Sequence, residues 1–290
     1  MRRCYVFRDG KKLTVGEVPL VMGILNITPD SFSDGGKYDT PSAALQRLQA
    51  MAEEGAAIID VGAESTRPGA TPLTAEEEMA RLKPILPLLV KNSPIPLSLD
   101  TYHAATAAMG IAMGVHIIND IWGLQYAPEP NAMARTVAKS GLPVIIMHND
   151  RATADTECGR PHIMTRANAF LSRSLEIAAE AGIATENIIL DPGICFGTTP
   201  EEDVTLLTNL SWLKIQRTEI FPLLVGLSRK SFLGKLLNLP PDNRLGATAA
   251  MAALAVAGGA DILRLHDVKE IAPAMRLVYR IVTAPPIVGK

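Results

Sequence analysis

Eight short apolar runs, each ending in polar residues and followed by a helical pattern, constrain the fold of this 290-residue chain most strongly. The runs begin near residues 21, 57, 95, 116, 142, 187, 221 and 260, and amphipathic patterns typical of helices fill the gaps between them. Near-continuous apolar strands that alternate with helices indicate a parallel sheet covered on its outer side. Eight such units in a chain of this length predict an α/β protein of the closed (β/α)8 TIM barrel type.

Explicit helix-start signals support this division of the chain. Thr74 with Glu77 and Thr199 with Glu202 each match a capping box, in which the threonine and the carboxylate cap the first turn reciprocally. Thr40, directly before a proline, predicts a third helix start. Helices are therefore predicted to begin close to these three threonines.

An open, doubly wound sheet is the alternative to a barrel. It is the weaker interpretation because no strand is followed by GxGxxG or GxxxxGK[ST], the two phosphate-binding fingerprints of such sheets. Since one repeating unit runs from near residue 21 onward, we expect residues 1–290 to form a single domain with a short N-terminal extension, 1–20.

Composition narrows the class of function. The formal charge of -2 gives no broad basic field, so we expect no nucleic acid partner and a small ligand instead. No apolar run approaches the ~18 to 20 residues of a membrane span, and the start of the chain lacks a secretory signal. Three cysteines without CxxC or CxxH spacing argue against a disulfide framework or structural zinc. These features predict a cytoplasmic protein with no membrane partner.

Polar residues stand at the end of every predicted strand. In a barrel of this kind the carboxyl ends of the strands and the loops after them form one mouth, where functional sites are built. We therefore expect the polar residues at the strand ends to lie together at one rim. They are Asn26, Glu64, Thr66, Arg67, Asp100, Asn119, Asp120, His148, Asn149, Asp191, Ser228 to Lys230, Arg264 and His266.

Three of these residues have short side chains with acceptor oxygens, and each of the three could serve only a local cap or turn. Asp100 could cap the next helix, Asn119 could form an Asx turn, and Asp191 could open the turn of "DPG". Aimed together into one cavity, the three side chains would suit a flat heterocycle that carries several N–H donors. Asp60, inside its strand, is predicted to be a buried, hydrogen-bonded structural group.

Cations form the second group of candidates. Arg229 and Lys230 precede a predicted helix, where the dipole disfavours cations, so either a bound anion or exposure to water must compensate them. Arg264 and His266 are two apart on a strand and share a face, an arrangement suited to phosphate oxygens.

Two loops have the Gly, Pro and Ser content of lids, although they could also be plain connectors. "TPDSFSDGGKYD" offers Phe32 and "ESTRPGATPL" offers Pro68 as apolar contacts for a ring-shaped substrate. From chemistry alone, Thr66 and Arg67 fit a functional site and an ordinary loop equally well.

Several stretches, in order, resemble the bacterial dihydropteroate synthase family across nearly the whole chain. They are "MGILNITPDSFSDGG", "DVGAESTRPGA", "SLDT", "IIND", "DPGICFG", "GLSRKSFLG" and "RLHDV". The resemblance implies transfer of the dihydropterin methylene from its pyrophosphate ester to the amine of para-aminobenzoate, giving dihydropteroate and pyrophosphate. No covalent intermediate is expected, since no Ser/His/Asp or Cys/His constellation is evident. The family also suggests a homodimer.

The resemblance implies site residues by motif. The pterin and its pyrophosphate would contact Thr66, Asp100, Asn119, Met147, Asp191, Phe196, Lys230, Arg264 and His266. The para-aminobenzoate slot would comprise Phe32, Pro68, Phe196, Lys230 and Ser231. Catalytic roles would fall to Asp34, Arg67, Lys230, Arg264 and His266. Mg²⁺ would bind at Asn26, and Asp34 would help to stabilise a pterin-methyl cation.

The chain departs from the family pattern at three places. After the fifth strand it reads "MHNDRATADTECGRPHIM", Cys195 and Thr198 replace a common glycine and lysine, and Trp122 stands where a small residue is usual. These departures leave open a paralogue that binds pterin without turnover. A methyltetrahydrofolate methyltransferase type of enzyme is disfavoured, because it would need neither the paired loops nor the cations.

Overall fold

Parallel strands close into a barrel in the part of the chain that the computed structural model describes, residues 2–27, 40–64, 71–153, 160–216 and 218–285. The strands of these residues are β1 (Arg3–Val6), β2 (Lys12–Val15), β3 (Leu20–Asn26), β4 (Ile58–Gly62), β5 (Leu97–Asp100), β6 (Ile117–Asp120), β7 (Val144–Met147), β8 (Ile188–Asp191), β9 (Ile215–Gln216), β10 (Glu219–Ile220), β11 (Leu224–Gly226) and β12 (Ile262–Leu265).

Eight of these strands form one sheet, in the order β11-β12-β3-β4-β5-β6-β7-β8. Its two edges meet where the backbone N–H of Leu190 donates to the carbonyl oxygen of Pro222 at 2.9 Å, and Leu190 bridges Leu223 in parallel. The predicted (β/α)8 barrel is therefore confirmed. The largest displacement of a predicted strand is at β11, which begins at Leu224 rather than near residue 221.

Helices surround the barrel. Those of the described residues are α1 (Pro41–Glu53), α2 (Ala75–Leu82), α3 (Leu86–Asn92), α4 (Ala104–Met113), α5 (Ala132–Ser140), α6 (Ile163–Ala181), α7 (Pro200–Thr208), α8 (Leu210–Leu213), α9 (Ser231–Leu237), α10 (Leu245–Ala257) and α11 (Val268–Val282). Thr40, Thr74 and Thr199 cap α1, α2 and α7, as predicted. No helix in the described ranges is long and apolar enough to cross a membrane.

The N-terminal extension forms an antiparallel hairpin, β1 with β2, across the amino-terminal end of the barrel. Tyr5, Phe7, Leu13 and Val15 of this region are buried in one cluster with the lowest apolar side chains of the barrel strands. Each such burial contributes about 1.5 to 3 kcal/mol to folding. The buried Arg3 guanidinium fixes the hairpin, because its Nη1 donates to the carbonyl oxygen of Ile188 at 2.6 Å. The hairpin therefore covers the end of the barrel opposite the mouth.

Side chains inside the barrel change from apolar to polar towards the mouth. Residues two apart on a strand share a face, and four of the seven apolar floor residues on the barrel strands have a polar residue directly above them. The pairs are Ile58 with Asp60, Ile117 with Asn119, Ile189 with Asp191, and Ile262 with Arg264. The apolar floor thus leaves a layer of polar groups at the carboxyl ends of the strands.

Candidate active site

Asp60 lies at the centre of this polar layer. Its Oδ2 accepts hydrogen bonds from Arg264 Nε at 2.6 Å and from Asn119 Nδ2 at 3.0 Å. The side chain is fully buried, and its Oδ1 has no hydrogen-bond partner among the described residues. Asp60 is buried and hydrogen-bonded as predicted, but its partners are both candidate site residues. Its position two residues above Ile58 is the sequence signal that could have placed it in the site.

Arg264 joins two carboxylates. Its Nη2 donates to Asp100 Oδ2 at 2.7 Å while its Nε donates to Asp60. Burial raises the pKa of Asp100 to about 7, although the Arg264 guanidinium acts in the opposite direction. Burial alone would lower the pKa of Arg264, but Asp60 and Asp100 raise it, so the guanidinium is held as a cation between two acids.

The structure decides between the local and the shared explanations of the short acceptors. Asp100 does not cap the next helix, because α4 begins at Ala104 and its N-cap residue is His103. No hydrogen bond to the Asn119 side-chain oxygen occurs among the described residues, so Asn119 does not form an Asx turn, and its amide nitrogen donates to Asp60. The neighbouring Asp120 makes that turn instead, accepting from Trp122 N–H at 2.8 Å.

Asp191 fits both the local explanation, a turn, and the shared one, a common cavity. Its Oδ1 accepts from the backbone N–H of Gly193 at 2.8 Å, which is the predicted turn. Burial raises the pKa of Asp191 to about 6, and the charges of Lys230 and Arg264 lower it in part. The carboxylate therefore opens the turn and also faces two cations of the mouth.

Lys230 lies against the Phe196 ring and interacts electrostatically with Asp191. Its Nζ donates to the carbonyl oxygen of Ile194 at 3.0 Å and lies 4.6 Å from the centre of the Phe196 ring. Burial lowers the pKa of Lys230, while the Asp191 carboxylate acts to raise it. Phe196 is itself buried in a cluster with Tyr102, Ile121 and Met147. The site thus offers a hydrogen-bond donor and a flat apolar surface side by side, and one ligand can contact both.

The expectation that a bound anion compensates Arg229 is wrong. Arg229 Nε donates to Asp267 Oδ2 at 3.0 Å, and Nη2 of the same guanidinium donates to Asp267 Oδ1 at 2.5 Å. The compensating charge is therefore a carboxylate of the chain itself. Arg229 also has a backbone φ of 55°, a left-handed conformation that is uncommon outside glycine.

The two groups predicted at the end of β12 have different partners. Arg264 binds the two carboxylates, whereas His266 Nδ1 lies 2.9 Å from Ser228 Oγ. His266 is half-buried, and its carbonyl oxygen accepts from Arg47 Nη2 at 3.0 Å. Ser228 therefore orients the imidazole at the mouth.

His148 and Asn149, predicted at the rim, are fully buried. Nδ1–H of His148 donates to the carbonyl oxygen of Pro192 at 2.9 Å, and Asn149 Nδ2 donates to that of Ile121 at 3.0 Å. Both side chains hold neighbouring backbone and are not exposed at the rim.

Asn26, at the end of β3, is half-buried and makes no side-chain hydrogen bond to a described residue. Its amide oxygen is a hard donor of the kind that Mg²⁺ accepts. No group of three or more His, Cys, Asp or Glu side chains that could hold a metal ion occurs in the described ranges. The Asn26 side chain therefore offers one oxygen ligand of the kind that Mg²⁺ binds.

Of the remaining predicted site residues, two lie within the described ranges and five do not. Met147 is buried, and Ser231 is partly buried at the start of α9, with its hydroxyl 3.6 Å from Cys195 Sγ. Outside the described residues lie Phe32, Asp34, Thr66, Arg67 and Pro68.

The base of the second predicted lid is described, and it is firmly held. Tyr102 OH donates to Glu64 at 3.0 Å, and Glu64 Oε2 accepts from the backbone N–H of Leu73 at 3.1 Å. His103 contacts two acceptors, Glu129 Oε1 at 2.9 Å and the carbonyl oxygen of Leu73 at 3.0 Å. The chain is thus anchored on both sides of residues 65–70.

A barrel mouth of this composition can bind a donor-rich heterocycle at its carboxylates and amide and an anion at its cations. It has the features of the pterin-binding class of (β/α)8 barrel enzymes, and the family model described as pterin binding enzyme matches residues 22–266.

Known relatives narrow this class. The chain is 42% identical over 266 residues to dihydropteroate synthase of Bacillus subtilis (strain 168), covering 92% of this chain and 90% of the relative. The Yersinia pestis dihydropteroate synthase structure with a sulfonamide drug matches with a TM-score of 0.86 at 40% identity, covering 97% of this chain and 100% of that one. That of Xanthomonas albilineans with 4-aminobenzoic acid matches with a TM-score of 0.84 at 37% identity, covering 96% and 97%. The chain belongs to the dihydropteroate synthase family.

Proposed function

We propose that this protein joins the methylene carbon of dihydropterin pyrophosphate to the amine of para-aminobenzoate, giving dihydropteroate and pyrophosphate. The single observation that supports this most is the layer in which Asp60, Asn119, Asp100 and Arg264 are hydrogen-bonded at one mouth. The ligand in the Xanthomonas albilineans structure, 4-aminobenzoic acid, supports the choice of arylamine.

The pterin binds at Asp100, Asn119, Asp191 and Lys230. Because the Asn119 amide nitrogen already donates to Asp60, its oxygen is left to accept from a ring N–H. The Asp191 carboxylate accepts from the amino-pyrimidine edge through charge-assisted hydrogen bonds. Met147 and Phe196 supply the apolar side of the pocket.

Loss of pyrophosphate is the bond-breaking step. The bond between the methylene carbon and the ester oxygen breaks, and its electron pair leaves with the pyrophosphate. Arg264 and His266 stabilise that charge, and we assign the same task to Thr66 and Arg67. Mg²⁺ held at Asn26 supplies further charge neutralisation when it is bound.

The amine then completes the reaction in an SN1-like sequence. Its nitrogen lone pair forms the new bond to the methylene carbon, and the nitrogen loses a proton. We place para-aminobenzoate against Phe196, Lys230 and Ser231, with Phe32 and Pro68 covering it and Asp34 stabilising the pterin-methyl cation. The protein contributes by placing the amine in line and excluding water.

We further propose one cytoplasmic domain spanning residues 1–290 that pairs as a homodimer through outer helices. Three large apolar side chains on α10 and α11 support the choice of this face, since Leu254 is 59% exposed, Leu277 59% and Ile281 63%. Sedimentation equilibrium measures the mass directly. A mass of one chain that persists at high protein concentration would rule out the dimer.

The function is tested by mixing the protein with dihydropterin pyrophosphate, para-aminobenzoate and Mg²⁺ and assaying pyrophosphate release and dihydropteroate formation. The proposal predicts both products in equal amounts, with dihydropteroate absent when the amine is omitted. Tight pterin binding without either product would instead indicate a pterin-binding paralogue.

A further inference from the structure

Arg244 binds the backbone at both ends of α9, the helix that begins directly after Lys230. Its Nη1 donates to the carbonyl oxygens of Arg229 at 3.1 Å and of Lys230 at 3.4 Å, before the helix. Its Nε and Nη2 donate to the carbonyl oxygen of Leu239 at 3.1 and 3.0 Å, beyond the helix. The planar fork of a guanidinium suits this double contact, whereas the ammonium of a lysine is a single point charge. One side chain therefore holds α9 at its start and at its end.

The helix α9 leaves room for this guanidinium at Gly234. A Cβ at Gly234 would lie 2.0 Å from Arg244 Nη2, so any side chain there would displace the guanidinium. Gly234 lies inside the helix, where glycine is a poor helix former. The approach of Arg244, rather than the helix itself, therefore explains a glycine at this position.

The first turn of α10 holds the same backbone through a second residue. Thr248 is fully buried, and its Oγ1 accepts from the backbone N–H of Arg229 at 3.2 Å and donates to the Arg244 carbonyl oxygen at 2.8 Å. Arg229 has a left-handed φ of 55°, a conformation that persists where neighbouring contacts impose it. Arg244 and Thr248 thus fix the turn that leads into Lys230.

This turn determines where the Lys230 side chain starts. Lys230 Nζ donates to the carbonyl oxygen of Ile194 at 3.0 Å and lies 4.6 Å from the centre of the Phe196 ring. A lysine side chain is a flexible stem with its charge at one atom, so the position of Nζ depends on where the backbone is held. Arg244 contacts that backbone at the Lys230 carbonyl oxygen.

We propose that Arg244 is a positioning residue for the reaction, which holds the Lys230 backbone so that the ammonium reaches Phe196 and the charge of Asp191. This inference rests on the proposed function, in which Lys230 touches both substrates. Arg244 then affects the rate through Lys230 and not by contact with a substrate. Its removal should therefore matter only in a protein that still has Lys230.

The experiment is a double-mutant cycle between Arg244 and Lys230. The proteins are the wild type, Arg244→Met, Lys230→Ala and the double variant. The kcat/KM is measured by pyrophosphate release, and the affinity for dihydropterin pyrophosphate is measured by calorimetry. Arg244→Met should lower kcat/KM about tenfold in the wild type, because two charge-assisted contacts to the turn are lost, and by less than about twofold in Lys230→Ala.

Gly234→Ala tests the same contact while Arg244 stays in the chain. The added methyl group displaces the guanidinium, although alanine favours the helix more than glycine. We expect a loss of kcat/KM similar to that of Arg244→Met, and no further loss in the protein that carries both changes, since they remove one contact. If Arg244→Met does not fold, Gly234→Ala takes its place in the cycle with Lys230→Ala.

Two controls separate positioning from a general loss of stability. Arg135→Met removes an exposed guanidinium from α5, and Ala250→Gly weakens α10 at an exposed position. Both should keep kcat/KM within about twofold of wild type.

An unchanged kcat/KM in Arg244→Met, or an equal loss with and without Lys230, would overturn the role of Arg244. A wild type that binds dihydropterin pyrophosphate but releases no pyrophosphate would contradict the proposed function alone. The cycle then applies to pterin affinity, where Arg244→Met should again weaken binding only when Lys230 is present, and an equal loss in both backgrounds would again overturn its role.

Discussion

Asp60 Oδ2 accepts from Asn119 Nδ2 at 3.0 Å, so a buried carboxylate on β4 decides which way an amide on β6 faces the mouth. The same oxygen accepts a hydrogen bond from Arg264 Nε. Asp60→Asn removes the charge that orients both groups, and we expect kcat/KM to fall about 10², a transition-state loss of about 2.7 kcal/mol. Steady-state kinetics with thermal unfolding of the same samples separates this effect from loss of fold.

Ser98 provides the control for Asp60. It stands beside Asp60 in the strand register, and its buried hydroxyl has no partner among the described residues. Ser98→Ala should therefore leave kcat/KM unchanged. A change below about threefold in Asp60→Asn would show that Asp60 does not position the site.

Lys230→Ala removes the ammonium between Asp191 and Phe196. We expect kcat/KM to fall about 10² or more, because this group touches both substrates in the proposed arrangement. Lys235→Ala changes an exposed lysine on α9, the helix that follows Lys230, and this control should behave as wild type. A loss of less than about threefold in Lys230→Ala would rule out its role.

Asp191→Asn tests the pterin anchor. Asparagine keeps an oxygen for the Gly193 N–H, so the turn survives while the charge is lost. Pterin affinity should fall about tenfold or more, the cost of one charge-assisted hydrogen bond, with a smaller effect on arylamine affinity. Calorimetry measures both, and equal losses would argue against a pterin anchor.

Much of this architecture was predictable from local patterns. The near-continuous apolar runs and the capping threonines located the strands and the starts of α1, α2 and α7, because both signals involve residues close in sequence. The barrel followed from repetition of one unit. The polar strand ends similarly indicated where a site would be built.

Long-range pairings were not predictable in the same way. Arg264 and Asp60 are 204 residues apart, and Arg229 meets Asp267 38 residues later, so no local spacing records either pair. The N-terminal extension gave no sign that its hairpin would cover the floor of the barrel. The ion pairs of the buried Asp150 with Arg160 and Arg166 were not predictable for the same reason, because these partners lie 10 and 16 residues later in the chain.

Cys195 adopts a φ of 68° where the family commonly has glycine. We expect Cys195→Gly to be more stable than Cys195→Ala by about 1 kcal/mol, because glycine alone adopts this conformation without strain. Chemical denaturation measures the difference. In the helix α10, Ala250→Gly, at an exposed position, should instead reduce stability by a similar amount. A less stable Cys195→Gly would contradict the strain argument.

His103 makes stability depend on pH. Burial lowers its pKa, but the acceptors Glu129 and Leu73 outweigh this, and the pKa is raised from its ordinary value of 6.5. The protonated ring therefore stabilises the fold fully below the unfolded pKa, and this contribution is lost as pH rises through the folded pKa. His103→Gln should cost about 1 to 3 kcal/mol at pH 6 and less at pH 9. Denaturation at both pH values checks this, and a cost independent of pH would exclude an imidazolium.

A crystal structure with dihydropterin pyrophosphate bound tests most directly whether the polar layer is a pterin site. We predict that the ring lies inside the barrel mouth, with its N–H groups within hydrogen-bond distance of Asp191 and the Asn119 oxygen, and that its pyrophosphate lies towards Arg264 and His266. An ordered ligand that lies elsewhere, or in the mouth without contact to Asp191 or Asn119, would contradict it.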